Sequence, residues 1–119
     1  IIFVDDGSTD GTRDWLATLG TPCRAIQNDR NLGFAGACNR GAAAATGELL
    51  FLLNNDLVLE PGWFEPMAGL LRARADIGLV GNVQLRAATG ELDHAGVSFD
   101  AKGKPGHDLA RPLLAQAQL

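Results

Sequence analysis

Four apolar residues open the chain, Ile1-Ile2-Phe3-Val4, β-branched and aromatic with no polar interruption. Alternation would mark a strand with one wet face, whereas an unbroken run of strand length marks one covered on both, as in a parallel sheet. The run stops at Asp5-Asp6-Gly7, after which the spacing of Trp15, Leu16 and Leu19 predicts a short amphipathic helix. Ser8, Thr9 and Asp10 supply N-cap oxygens for it, and Gly20 with Pro22 ends it. A second strand is expected over residues 23–27. The polar loop Asn28-Asp29-Arg30-Asn31-Leu32-Gly33 leads into a helix over 34–46, where Phe34, Cys38, Ala42 and Ala45 share one face and Gly47 is the expected C-cap. Its many small residues let that helix lie close to a sheet. Residues 49–53 predict a third buried strand, ending at Asn54-Asn55-Asp56; Pro61-Gly62 opens a helix over 63–73, and 77–85 follow as a strand. This alternation of buried strands with helical crossovers predicts an α/β fold, a mostly parallel sheet with helices on both faces.

Beyond Ala87 the pattern weakens. Thr89-Gly90 reads as a turn, 97–99 as a short strand and 101–106 as a mobile loop, and 109–119 reads either as a helix broken at Pro112 or as a poorly ordered tail. A chain that starts inside a buried strand is expected to be a fragment, here a single partial domain over 1–119.

Charge narrows the function. Ten basic against fourteen acidic residues give a net charge of −4, which excludes nucleic acid held through its phosphates. No apolar stretch approaches the roughly 18 residues of a membrane span, and nothing at the start resembles a signal peptide. Cys23 and Cys38 lack metal or redox spacing, so both are expected to be buried, reduced thiols in a cytoplasmic protein. Ten of the fourteen acids are Asp, gathered beside Gly, Asn and Ser, where short carboxylates cap, turn and ligate.

In an open α/β sheet, ligands bind beyond the carboxyl ends of the strands. Asp5-Asp6, Asn28 to Asn31, and Asn54-Asn55-Asp56 each follow a predicted strand and so converge there. Each group also has a purely structural reading: Asp5 and Asp6 as helix caps, Asn31 and Gly33 as left-handed loop residues, Asn54 to Asp56 as an Asx-turn.

The ordered set Val4-Asp5-Asp6-Gly7-Ser8, Asn31-Leu32-Gly33-Phe34, Asn39-Arg40-Gly41, Thr46-Gly47-Glu48 and Asn54-Asn55-Asp56 resembles the nucleotide-binding half of family 2 glycosyltransferases. The resemblance continues through Pro61-Gly62-Trp63 and Gly78-Leu79-Val80-Gly81 to Asp93-His94-Ala95-Gly96, about residues 1–107. The Asn-Asn-Asp form with a later His-Ala-Gly is similar to rhamnosyltransferase-like members that build bacterial surface polysaccharides. The resemblance implies the GT-A, Rossmann-like nucleotide-diphospho-sugar transferase fold, with the first strand preceding Ile1 and the acceptor half lying outside the chain. It further implies transfer of a sugar, with inversion, from a UDP- or dTDP-sugar to a hydroxyl of a saccharide or lipid-linked saccharide.

By the same resemblance, Asp5 accepts the imide N–H of uracil or thymine, a pure donor suited to a carboxylate, and Asp6 lies beside base and ribose. Asn31, Gly33 and Asn39 close over the nucleoside, Gly33 by allowing close backbone approach. Asn54, Asn55 and Asp56 hold the position of the family's DXD motif, where Asp56, with the amide oxygen of Asn54, ligates Mg²⁺ or Mn²⁺ bridging the donor diphosphate. Asn54 departs from the commoner Asp and brings no charge, so the metal is expected to enter with the donor.

The general base of an inverting transfer is not evident in these residues. Asp93 and His94 are the weak candidates, each with a structural alternative, and Glu91 and Asp100 read as solvated charges. Trp63 and Phe64 read as helix-face core residues. This chain alone is therefore expected to be inactive, and any membrane association of the parent would come through parts outside it. A non-catalytic nucleotide- or sugar-binding domain is the alternative. A dinucleotide oxidoreductase is disfavoured, because Asp-Asp-Gly-Ser stands where a GxGxxG would open the first helix.

Overall fold

The β-branched opening run does form a strand. In the computed structural model, which describes residues 1–107, β1 (Ile2–Asp5) pairs in parallel with β2 (Arg24–Gln27), and α1 (Thr12–Ala17) connects them. Ile2, Phe3, Val4 and Asp5 face Arg24, Ala25, Ile26 and Gln27 in register. Backbone bonds extend the ladder at both ends, Arg24 N–H to the Ile1 carbonyl at 2.9 Å and Asn28 N–H to the Asp5 carbonyl at 2.8 Å. The last of these ties the ends of the two strands together, where a crevice ligand would approach.

Consecutive strand residues point to opposite faces of a sheet. Phe3 meets Trp15 of α1 edge to face, with ring centroids 6.2 Å apart. Its neighbour Val4 meets α2 (Gly33–Ala44), where a β-carbon on Gly41 would lie 3.0 Å from the Val4 Cγ2. The two helices therefore flank opposite faces, as expected, and the small residues of α2 allow its close approach. Leu16 is the buried apolar anchor of this half. At the start of α1, Asp10 Oδ1 accepts the Thr12 N–H at 3.2 Å and its hydroxyl at 2.6 Å.

The chain divides into two compact units, Ile1–Asn55 and Asp56–Leu119. In the second, Pro66 lies in the first turn of α3 (Glu65–Ala73), whose Ala68 is buried. Trp63 and Phe64 precede this helix, not within it as expected, and pack edge to face at 5.7 Å. The strands β3 (Gln84–Leu85) and β4 (Leu92–His94) form an antiparallel pair with an irregular register, closed by a turn at Gly90. A second hairpin joins β5 (Val97–Phe99) to β6 (Pro105–His107), and Asp100 Oδ1 accepts the N–H groups of Lys102 and Lys104, both at 2.8 Å. The segment expected to be a mobile loop is thus an organised connection.

Other differences have physical reasons. Residues 49–53 do not form the expected third strand, and Leu50, Phe51, Leu52 and Leu53 are exposed. An apolar run becomes a strand only by pairing, and among the described residues β1 pairs with β2 alone. Of 77–85 only Gln84–Leu85 pairs, and antiparallel to β4, because Gly78 and Gly81 weaken the run and a four-residue turn brings β4 to hand. The parallel sheet is therefore two strands wide among the described residues. The second helix stops at Ala44, with Ala45 already extended, ahead of the expected cap at Gly47. Cys23 and Cys38 are free thiols, as expected, but only half-buried. The reading of 109–119 lies outside the described residues.

Candidate functional site

The most buried side chains of the first unit include two polar ones, Asp5 and Asn28, at 3% and 1% exposure. A buried polar group is tolerable only when hydrogen-bonded, and these two are joined in one network. Asp5 Oδ1 accepts the Ser8 N–H at 3.0 Å, and Oδ2 accepts Arg13 Nε of α1 at 2.9 Å. Arg13 Nη2 also donates to the Asn28 carbonyl oxygen. The Asn28 amide reaches back to the loop after β1, its Nδ2 donating to Asp6 Oδ1 at 2.7 Å, while its Oδ1 accepts from Arg40 Nη1 of α2. Asp6 Oδ1 takes a second bond from the Leu32 N–H at 2.8 Å. The loops after β1 and β2 are thereby stitched together, with a guanidinium from each flanking helix.

Glycine makes that closeness possible at one point. Gly7 has φ +85°, and a β-carbon there would lie 3.0 Å from backbone atoms of Arg30 and Asn31. Gly33 also has positive φ, +76°, but nothing lies within 4 Å of its would-be β-carbon. Its hydrogen is required by the left-handed conformation, and the open space beside it leaves its backbone approachable. Asn31 Oδ1 accepts the Gly33 N–H at 2.8 Å and so shapes the entry to α2.

The network sets the electrostatics. The Ser8 hydroxyl, more than any other group, holds the Asp5 carboxyl below its ordinary range, aided by the Ser8 N–H and Arg13 and opposed by desolvation. Asp6 is lowered first by the Asn28 amide and then by the Leu32 N–H, with desolvation and the Asp5 charge opposing. Both are ionised at neutral pH, and they differ in access. The Asp5 side chain is fully covered, so a ring N–H could reach it only if Arg13 moved. Asp6 remains partly open.

The remaining predicted residues are distributed differently. Asn39 is exposed on α2. Asn54 and Asn55 are exposed at the end of the first unit, and Asp56 is exposed at the start of the second. Asp56 borders a largely apolar concavity of about 960 Å³ that Trp63, Met67 and Arg86 also line. Both weak base candidates lie on β4. Asp93 Oδ1 accepts Arg86 Nε at 3.0 Å across the hairpin, and half-buried His94 faces Gln84 in register. Among the described residues no three His, Cys, Asp or Glu side chains gather as a metal cluster, and no helix is long and apolar enough to cross a membrane.

Sequence reasoning placed Asp5, Asp6 and Asn31 at this locus but gave no role to Arg13 or Arg40 and none of its own to Asn28. The available signal was an Arg in each helix following a polar strand end, which becomes specific only once the helices are packed.

Comparison with known proteins bears on the same residues. Residues 1–105 match the model described as Glycosyl transferase family 2. A Mycobacterium tuberculosis protein named among the glycosyltransferases is 43% identical over 81 residues, 65% of this chain and 24% of that protein. The O-antigen biosynthesis protein RfbC of Myxococcus xanthus is 34% identical over 84 residues, 70% of this chain and 6% of its own length. Dodecaprenyl-phosphate galacturonate synthase of Rhizobium johnstonii is 34% identical over 85 residues, 68% of this chain and 25% of its own. The chain thus spans a quarter or less of these relatives. No solved structure matches.

Proposed function

The chain belongs to glycosyl transferase family 2, and on that footing we propose that it forms the nucleotide-sugar-binding part of a glycosyltransferase acting in bacterial surface polysaccharide synthesis. Membership implies a GT-A α/β fold, consistent with a parallel β1–β2 pair flanked by a helix on each face. The name of the Myxococcus relative, an O-antigen biosynthesis protein, supports the setting. The observation that carries the reading is the meeting of Asp6 and Asn28 across the ends of two parallel strands, where open α/β sheets bind ligands.

In this reading the donor carries uracil or thymine. Asp6, ionised and partly open, accepts the ring imide N–H, while Asp5, closed by Ser8 and Arg13, holds the loop that presents it. Asn31 just before α2, Gly33 at its first residue and Asn39 midway along it border the nucleoside. Asn54 and Asp56 fit a hard cation as exposed oxygen donors, with Asn55 beside them; one carboxylate and one neutral amide leave most of the shell to the diphosphate. Bound there, Mg²⁺ or Mn²⁺ supplies Lewis-acid neutralisation of the leaving diphosphate. The donor's sugar passes, with inversion at its anomeric carbon, to a hydroxyl of a saccharide or lipid-linked saccharide, and the Asn-Asn-Asp form fits a rhamnosyltransferase-like enzyme. The ion pair of Asp93 with Arg86 favours a second reading for this chain by itself, nucleotide binding without turnover.

A thermal-shift panel with UDP, dTDP, GDP and ADP, each with Mn²⁺, tests the assignment. A ligand at about 100 times its Kd stabilises by about 2.7 kcal/mol, and the reading expects that response from UDP or dTDP and a smaller one from the purine diphosphates. Equal shifts for all four would remove the pyrimidine assignment.

A further inference from the structure

Asn28 stands between a carboxylate and a guanidinium. Its Nδ2 donates to Asp6 Oδ1 at 2.7 Å, and its Oδ1 accepts from Arg40 Nη1. A guanidinium has donors only, and an ionised carboxylate acceptors only. Flipping the amide would set NH₂ against guanidinium and carbonyl against carboxylate, so the two neighbours allow a single orientation. At 1% exposure the Asn28 amide draws on these protein partners and not on solvent while Arg40 is in place. A second guanidinium, Arg13, holds the backbone carbonyl of the same residue while bonding Asp5. Asn28 and Leu32 both donate to Oδ1 of Asp6, which turns that oxygen inward.

From this geometry we propose that Arg40 is a positioning residue for base recognition, fixing the Asn28 amide so that Asp6 offers its other oxygen, Oδ2, to a pyrimidine-dione N–H. The inference rests on the nucleotide-binding reading above and adds a residue that need not touch the nucleotide. Arg40 reaches Asn28 from α2, and Asp6 lies a further hydrogen bond away, so the helix that follows the polar loop sets the rotamer of a carboxylate in the loop after β1. Its side chain is exposed beyond that contact, so replacing it removes little buried surface. An effect on selectivity therefore separates from an effect on folding.

The test compares the 119-residue chain with Arg40→Met and Arg40→Lys. Each is titrated with UDP and GDP in the presence of Mn²⁺, and the Asp6 carboxyl is titrated by NMR without nucleotide. Charge-assisted hydrogen bonds count for roughly a tenfold change in binding or more. Arg40→Met is expected to lose about tenfold in its preference for UDP over GDP, to melt near the parent temperature, and to show Asp6 titrating closer to an ordinary carboxyl. Arg40→Lys, which still donates, is expected to recover part of both effects. An unchanged Asp6 titration in Arg40→Met would overturn the positioning role whatever the nucleotide does. A shifted titration with unchanged preference would overturn the link to base recognition. Absence of UDP preference in the parent chain would instead overturn the nucleotide reading, while the Asp6 titration still decides the positioning.

Discussion

At the scale of single residues, the first unit depends on two buried polar side chains, Asp5 and Asn28. Truncating Asn28 to Ala removes two hydrogen bonds to charged groups, Arg40 and Asp6, and with them part of the link between two strand ends, and bonds of that kind count for about 1.5–3 kcal/mol. Chemical denaturation should show that loss for Asn28→Ala, while exposed Asp29→Ala stays within about 0.5 kcal/mol. The same network fixes a pH dependence. Asp5, Asp6 and Asp10 all have folded pKa values below the ordinary one, through Ser8, Asn28 and Thr12 respectively. Their contribution is complete above the unfolded value near about 3.9 and is lost as pH falls through the lower folded values. Unfolding midpoints should therefore hold between pH 7 and 5 and drop below about pH 4; a midpoint that rises on acidification would contradict these assignments. Gly7 and Gly33 form a further pair. Ala at either adopts a left-handed conformation costing roughly 1–2 kcal/mol, but only at position 7 does the added carbon meet backbone at 3.0 Å. Gly7→Ala should be the more damaging of the two in the same denaturation experiment.

At the scale of elements, what could be read in advance was what neighbouring residues decide among themselves. The run ending at Val4 announced β1, displaced by one residue, and the apolar spacing around Leu16 announced α1. The small residues of α2 foretold its approach to the sheet, which Gly41 makes against Val4. Gly41→Leu should accordingly destabilise the first unit by about 1–3 kcal/mol, the usual effect of overpacking, and calorimetric melting would register it. Residues 49–53 were misread because an apolar run declares a need for cover without naming the partner. Asp5 was legible as a strand-end carboxylate, yet its closure was not, since Arg13 reaches it from eight positions along the chain and only the packed helix brings them together. The same holds for Arg40 and Asn28, twelve positions apart.

At the scale of the whole molecule, membership of glycosyl transferase family 2 joins these local facts to a chemistry, and the chain spans a quarter or less of the relatives described above. Asp56 is exposed, so Asp56→Ala should leave the fold intact and abolish the Mn²⁺ dependence of UDP affinity, as calorimetry would report. Asp93 is paired with Arg86, so Asp93→Asn should leave any acceptor-dependent turnover unchanged. Turnover that Asp93→Asn lowers by about 10² to 10⁴ would instead make Asp93 the general base. The central claim is that a pyrimidine nucleoside diphosphate binds where the ends of β1 and β2 meet. Hydrogen exchange of the backbone amides with UDP and Mn²⁺ measures it most directly: the account predicts slowed exchange across residues 5–8 and 28–34 with UDP and little change with GDP, and exchange there that UDP leaves unaltered at saturation would contradict it.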